Sequence, residues 1–467
     1  MSMALLVDFG STWTKVRAVD LEAARVVASA QGPSTVGSDI TVGLEQALAA
    51  LHATLGEVPR YRYRLGSSSA AGGLKMVTIG LVRELTAEAA RQAALGAGAR
   101  LVGCYAYRLT RADLREIEAR QPDIVLLCGG TDGGNREIIL YNAGMLAGSG
   151  LSCPVVVAGN RDVGDEVLER LPGARLCANV MPEFNVLATD PARALIREVF
   201  MSRIVQAKGI DRARGLLDDV VLPTPAAVLE GAELLAAGPG GEGGLGPLIV
   251  VDPGGATTDV HSIGEGEPAA GVVRLGLPEP HAKRTVEGDL GMRHNAASIV
   301  DSCGAEAIAA DAGVPVARLH RLLASIAADV ERLPADADEA ALERGLARAA
   351  IRLAMRRHAG TVETVQTAHG PVQVQRGKDL GRVATLIGTG GVLVHAARPE
   401  VLLGAALAQP GDPFSLAPAA ATLFIDRDYA LFASGLLARA DRPVAFELAR
   451  NGLVPLEKAH HDKHANA

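Results

Sequence analysis

Apolar and polar positions along this chain alternate between two rhythms. Short apolar runs end in glycine-bearing turns: Ala4-Leu5-Leu6-Val7, Asp123 to Cys128, Pro154 to Ala158, Leu248-Ile249-Val250-Val251 and Val383 to Ile387. Between them apolar residues recur three and four apart, as at Leu44, Ala47, Leu48, Leu51 and Leu55. The first rhythm predicts buried strands and the second amphipathic helices. The opening block reads as strands at 4–8, 14–20 and 25–30, a helix at 43–55 and a strand at 61–67. A helix at 81–95, a strand at 100–105 and a helix capped by Thr110 follow. Next come the strand at 123–128, the glycine-rich Gly129–Asn135, a helix at 136–147 and the strand at 154–158, with 183–208 mostly helical. Strand–helix–strand order of this kind implies a parallel sheet with ligand loops at the strand C-termini.

The run Gly238-Pro239-Gly240-Gly241-Glu242-Gly243-Gly244-Leu245-Gly246 is the most linker-like stretch. A boundary there divides the chain into domains at 1–237 and 247–467. Within the second, 315–358 reads as helical and charge-rich, and 362–375 as a strand pair around Gly370-Pro371. A helical subdomain is expected at about 281–375, and the tail from Lys458 is polar.

One phrase occurs twice. Asp8-Phe9-Gly10-Ser11-Thr12-Trp13-Thr14-Lys15-Val16 and Asp252-Pro253-Gly254-Gly255-Ala256-Thr257-Thr258-Asp259-Val260 both open with Asp-x-Gly, end in Val and carry hydroxyls between. A strand running through such a turn into a second strand presents backbone N–H groups and hydroxyls to an anion. Gly10, Ser11, Thr12, Thr14 and Lys15, with Gly254, Gly255, Thr257 and Thr258, are the candidate phosphate contacts. Asp8 and Asp252 are the candidate Mg²⁺ residues, acting through bound water, and candidate catalytic residues. Gly388-Thr389-Gly390-Gly391, between a strand and a helix, lets backbone pass close to a ribose and α-phosphate, so Gly388, Gly390 and Gly391 join the site.

Composition narrows the partners. The chain has 467 residues, 48% hydrophobic and 21% charged, the balance of a folded protein with more than one core. A net charge of −7 leaves no basic surplus for nucleic acid. Cys104, Cys128, Cys153, Cys177 and Cys303 are odd in number and widely spaced, which reads as reduced thiols in a cytoplasmic protein. No basic n-region precedes the first apolar run, and no apolar stretch approaches the ~20 residues of a membrane span.

The order Asp-x-Gly-Ser-Thr, Asp-x-Gly-Gly-x-Thr-Thr-Asp, Gly-x-Gly-Gly resembles the actin/Hsp70/sugar-kinase ATPase superfamily over nearly the whole chain. Thr224–Glu233 resembles its connecting helix, and Thr285-Val286-Glu287-Gly288-Asp289-Leu290-Gly291-Met292-Arg293 its Gly-Asp-x-x-x-Gly loop. The resemblance implies an α/β, two-lobed actin-like ATPase built from duplicated ribonuclease H-like domains, with ATP and Mg²⁺ in an interdomain cleft. More narrowly, Asp-Phe-Gly-Ser-Thr-Trp-Thr-Lys, Cys-Gly-Gly-Thr-Asp-Gly-Gly-Asn, Asp-Pro-Gly-Gly-Ala-Thr-Thr-Asp-Val-His and Thr-Val-Glu-Gly-Asp-Leu-Gly-Met-Arg resemble the MutL/GlmL family. That resemblance implies an ATP-dependent accessory or reactivating factor whose partners are the subunits of an adenosylcobalamin-dependent mutase such as glutamate mutase.

Other residues carry open readings. Hsp70-type proteins place a Glu before the Pro of the connecting helix, a position that falls near Pro223 here; Glu230 or Glu233, further along, is the candidate for positioning water. Asp132 is either a catalytic base, in a small-molecule kinase of this superfamily, or a helix N-cap, and the N-cap is the simpler reading. Asp259-Val260-His261-Ser262-Ile263-Gly264 matches Asp-x-His-x-x-Gly, through which some cobalamin enzymes bind cobalt, and would make the chain a mutase component. That motif needs its His in a loop, whereas His261 falls within a strand, so coincidence is preferred. Iron–sulfur activators of acyl-CoA dehydratases share the first turn but need cluster-ligating cysteines. Arg348, Arg352 and Arg356 read as an exposed stripe or an adenine face. His460, His461 and His464 read as a solvated tail with weak metal affinity.

Overall fold

Both Asp-x-Gly phrases turn at the centre of a mixed sheet in the computed structural model. It describes residues 2–10, 13–33, 35, 39–68, 74–207, 216–368 and 370–457. Two compact units form, neither contiguous. The first takes Met1–Leu234, Gly276–Lys283 and Leu431–Asn451; the second takes Leu235–Leu275, Arg284–Ala430 and the segment from Gly452.

In the first unit, β1 (Met3–Phe9), β2 (Trp13–Asp20), β3 (Arg25–Pro33), β4 (Tyr61–Ser68) and a later strand, Asp219–Pro223, form one sheet. β1 and β3 run antiparallel to β2, and β4 runs parallel to β1 and to Asp219–Pro223. Numbered by entry, the strands lie in the order 3-2-1-4-5. Ala4, Leu5, Leu6 and Val7 are buried, as a central strand covered on both faces requires.

Between β4 and Asp219–Pro223 the chain builds a separate sheet from β5 (Leu74–Gly80), β6 (Ala99–Ala106), β7 (Ile124–Leu127), β8 (Val155–Val157) and β9 (Arg175–Leu176). Its strands are all parallel and run β6-β5-β7-β8-β9, a doubly wound 2-1-3-4-5 order. Gly129–Asn135 therefore belongs to this second sheet and not to the one that carries Asp8. Asp219–Pro223, now β10, returns the chain to the first sheet.

The second unit repeats the mixed plan. β11 (Leu248–Pro253) pairs antiparallel with β12 (Thr258–Ile263) and parallel with Thr385–Gly388. Between these lie β13 (Val272–Arg274), β14 (Ala282–Glu287), β15 (Thr361–Thr367) and β16 (Gly370–Arg376), so Thr385–Gly388 is β17; β18 (Thr422–Asp426) and β19 (Leu453–Pro455) follow. The order β14-β12-β11-β17-β18 is again 3-2-1-4-5, with β19 beyond. This is the duplicated, actin-like α/β plan that the repeated phrase implies. β13, β16 and β15 form a small separate sheet.

Helix ends follow local chemistry, with two departures from the sequence reading. Thr110 caps its helix, its hydroxyl accepting from the Asp113 N–H while the Asp113 carboxylate accepts from the Thr110 N–H. The helix expected from 81 starts at Thr86, because the Thr86 hydroxyl accepts from the Leu81 and Val82 N–H groups and holds 81–85 as a turn. The helix expected from 183 starts at Asp190, with Pro191 in its first turn, where the missing N–H costs nothing. Gly238–Gly246 folds back on the preceding helix: Leu245 N donates to Leu235 O and Gly246 N to Ala236 O, both at 3.0 Å.

Candidate functional site

Across the first turn Gly10 N donates to Trp13 O at 3.0 Å. A side chain at Gly10 would place its Cβ 2.6 Å from that carbonyl, so glycine is required. In the β1–β2 register Asp8 lies opposite Lys15 and Phe9 opposite Thr14. Directly paired antiparallel residues share a face, so Asp8 and Lys15 lie together while Thr14 points to the other side. Thr14 is wholly buried and its hydroxyl has no partner among the described residues. The expectation that Thr14 donates to a phosphate alongside Lys15 is corrected by this alternation. Ser11 and Thr12 lie outside the described residues.

Asp8 has two neighbours that the sequence did not reveal. Its Oδ1 accepts from the Thr224 hydroxyl at 2.6 Å and the Ser67 hydroxyl at 3.2 Å, and those hydroxyls are themselves 3.2 Å apart. Ser67 is the β4 residue beside Asp8 in the parallel register, and Thr224 opens the Thr224–Ala237 helix directly after β10. The residue that reaches Asp8 from the Thr224–Ala237 helix is thus Thr224, next to the Pro223 position where a Glu was sought. Its separation of 216 residues from Asp8 hid the contact.

The second turn repeats the register and the closing bond of the first. Gly254 N donates to Thr257 O at 2.8 Å, as Gly10 does to Trp13, and Asp252 lies opposite Asp259, as Asp8 lies opposite Lys15. Asp259 is buried and its carboxylate meets the Arg284 guanidinium at 2.7 Å, so its charge is matched within the protein. Thr258 is also buried and donates to Leu290 O at 2.7 Å. It is a strut of the turn, which corrects its assignment as a phosphate donor.

The Gly288–Asn295 stretch braces this turn from outside. Met292 N donates to Gly254 O, and Arg293 N and His294 N donate to Gly255 O, at 2.8–3.0 Å. The Asn295 side-chain amide ties Ala256 O to Gly288 O. Arg293 reaches Glu343 with both guanidinium nitrogens, at 2.6 and 3.0 Å. Hydrogen bonding from Arg357 holds the Asp289 carboxyl below its usual range. The Gly-Asp-Leu-Gly phrase therefore shapes the turn through backbone contacts.

Asp252 and Gly390 are in close approach. Gly390 has φ +83°, and a Cβ there would sit 2.2 Å from Asp252 Oδ1. Thr389 fixes the loop, its N–H on Val251 O at 3.0 Å and its hydroxyl on Asp426 at 3.0 Å. Gly388 serves packing, since a Cβ would meet Leu393 and Ile425 at 2.9 and 3.0 Å, while Gly391 opens the short Gly391–Val394 helix. The structure brings Asp252, Gly254, Gly255, Thr257, Gly390 and Gly391 into one neighbourhood of the second unit.

The remaining candidates sit elsewhere. Asp132, on the loop after β7, accepts from Asn179 Nδ2 at 2.9 Å and Arg161 N at 3.1 Å. Its N-cap reading is corrected: the following helix starts at Glu137 with Arg136 at the cap position, and the nearby side-chain bond is from Ile138 N to Asn135 Oδ1 at 3.1 Å. Glu230 is committed to two guanidiniums, Arg197 at 2.6 Å and Arg439 at 3.2 Å. Burial pushes the Glu233 carboxyl up. His261 is buried within β12, and its Nδ1 has no partner among the described residues. Arg348 pairs with Asp311, Arg352 reaches Cys303 Sγ at 3.7 Å and Arg356 meets Asp412 at 3.3 Å. His460, His461 and His464 lie outside the described residues.

Asp8 and Asp252 offer hard oxygen donors, and one or two carboxylates with water and phosphate oxygens suit Mg²⁺. No group of three or more metal-ligating side chains occurs among the described residues. No helix among them is long and apolar enough to cross a membrane.

The solved structure of component A of (R)-2-hydroxyglutaryl-CoA dehydratase from Acidaminococcus fermentans is 11% identical, with TM-score 0.29, covering 97% of this chain and 99% of that one. Xylulose kinase from Bifidobacterium adolescentis is 12% identical, with TM-score 0.32 and coverage of 98% and 94%. Protein MutL of Clostridium tetanomorphum is 46% identical over 471 residues, spanning 97% of this chain and all of that protein. The MutL protein family model matches residues 4–453. With nearly the whole chain matched by both, this protein belongs to the MutL family.

Proposed function

We propose that this protein binds and hydrolyses ATP as an accessory, reactivating factor for an adenosylcobalamin-dependent mutase such as glutamate mutase. The observation that carries the nucleotide part is the shared strand register and closing bond of the Asp8 and Asp252 turns, each at the end of a central strand. Lys15 and the N–H groups of Gly255 and Thr257 bind phosphate oxygens, Gly10 and Gly254 close the two turns beneath them, and Gly390 and Gly391 pass beside the ribose. Asp8 and Asp252 hold Mg²⁺ through water, and the ion supplies neutralisation of phosphate charge. Glu233 is the better candidate of its pair for positioning water, because Glu230 is spent on two arginines. The mutase client rests on family membership, and five widely spaced cysteines without a Cys-x-x-Cys pair fit a cytoplasmic setting. Buried His261 gives the cobalt-ligand reading no support.

ATP hydrolysis measured with and without candidate mutase subunits tests the proposal. Slow turnover that the partner raises, and that Asp8→Ala and Asp252→Ala abolish, is expected. Unchanged hydrolysis in both variants would remove the nucleotide assignment.

A further inference from the structure

The Asp8 carboxylate is not left to find its own orientation. Three oxygens, Asp8 Oδ1, Ser67 Oγ and Thr224 Oγ1, form a triangle with edges of 2.6, 3.2 and 3.2 Å. Two hydroxyls supply only two protons for the three edges. The 2.6 Å edge is the strongest, so the Thr224 proton points at Asp8, and the Ser67 proton goes to Asp8 or to the Thr224 oxygen. Asp8 Oδ1 is therefore occupied, and Oδ2 takes no hydrogen bond from the described residues.

We infer that Ser67 and Thr224 are positioning residues for Asp8, holding Oδ1 so that Oδ2 faces the Mg²⁺-bound nucleotide, and that Thr224 makes this orientation depend on the place of its helix. The inference rests on the nucleotide reading given above. Ser67 cannot drift: it is wholly buried on β4, locked by register against β1 on one side and β10 on the other. Thr224 differs, because it is the first residue of the Thr224–Ala237 helix. The same helix is gripped further along by Arg197 and Arg439 on Glu230, and by close approach of Gly435 to Ala227. A shift of that helix by an ångström lengthens the 2.6 Å bond beyond useful range and frees the carboxylate to rotate. Ser67 is the fixed stop and Thr224 the movable one.

Trp13, the chain's one tryptophan, stands in the Asp8 turn and is 40% exposed, so its fluorescence reports on this site. The experiment titrates the full-length protein with ADP, with and without Mg²⁺, following Trp13 emission and, separately, Mn²⁺ binding by electron paramagnetic resonance. In Thr224→Val, which keeps shape and loses the hydroxyl, Mg²⁺- or Mn²⁺-dependent ADP binding weakens about tenfold, the scale of one hydrogen bond to a charged group. Metal-free ADP binding stays as in wild type. Ser67→Ala gives a similar loss, and Thr224→Ser restores binding. A purely structural Thr224 would instead lower thermal stability and weaken ADP binding equally with and without metal, which overturns the inference. Asp8→Asn separates the two levels. If it abolishes the metal dependence while Thr224→Val leaves it intact, positioning by Thr224 is wrong and the nucleotide site stands. If Asp8→Asn changes nothing, the site itself is wrong.

Discussion

His261 shows what a single buried residue can and cannot be used for. It is 1% exposed in β12, and burial, reinforced by the Arg284 guanidinium, holds its pKa well below the ordinary 6.5. The folded protein keeps this ring neutral, whereas the unfolded chain takes up a proton below about pH 6.5. Stability present above that pH is therefore lost as pH falls, by up to about 1.4 kcal/mol per pH unit. Urea denaturation at pH 7.5 and 5.5 should show this slope in wild type and a shallower one in His261→Leu. Coincidence is the preferred reading of the Asp-x-His-x-x-Gly match from sequence, because His261 falls two residues into the strand that leaves the second turn. Thr14 was misread for a related reason: hydroxyl content is visible in sequence, but strand alternation decides which face each hydroxyl takes.

Among elements, the crossing of the Thr224–Ala237 and Ala430–Leu437 helices depends on two glycines. A Cβ at Gly435 would lie 1.8 Å from Ala227 O, and one at Gly231 2.2 Å from Leu431 O. Gly435→Ala should cost about 1–3 kcal/mol, the usual price of overpacking, and loosen the metal dependence of ADP binding by moving the helix that carries Thr224. Gly144→Ala is the control: it lies in the Glu137–Ala147 helix with nothing within 4 Å, and should stabilise by about 0.5–1 kcal/mol. Chemical denaturation measures both. The strands and most helices were legible from periodicity, as the Thr110 capping box illustrates. The assignment of Gly129–Asn135 to a separate parallel sheet was not, because a strand–helix–strand run looks the same whichever sheet receives it.

For the whole molecule, ligand linkage gives the simplest check. If the two turns serve MgADP, that ligand at a hundredfold excess over its dissociation constant stabilises the fold by about 2.7 kcal/mol. Thermal or urea unfolding should show the gain in wild type and lose it in Asp252→Ala. The gain reports binding alone and is independent of any mutase partner.

The sequence by itself determined that two Asp-x-Gly turns end two apolar strands, that their chemistry suits phosphate, and which family the chain resembles. These are legible because a tight turn between strands makes local steric demands that only certain residues meet. Only the tertiary structure decided that Asp8 is held by Ser67 and Thr224, that Asp259 is neutralised by Arg284 and that Glu230 is tied to Arg197 and Arg439. Each of those contacts joins residues far apart in the chain, and depends on register and on which face a side chain takes. A one-residue change in either would leave the sequence pattern intact and remove the contact.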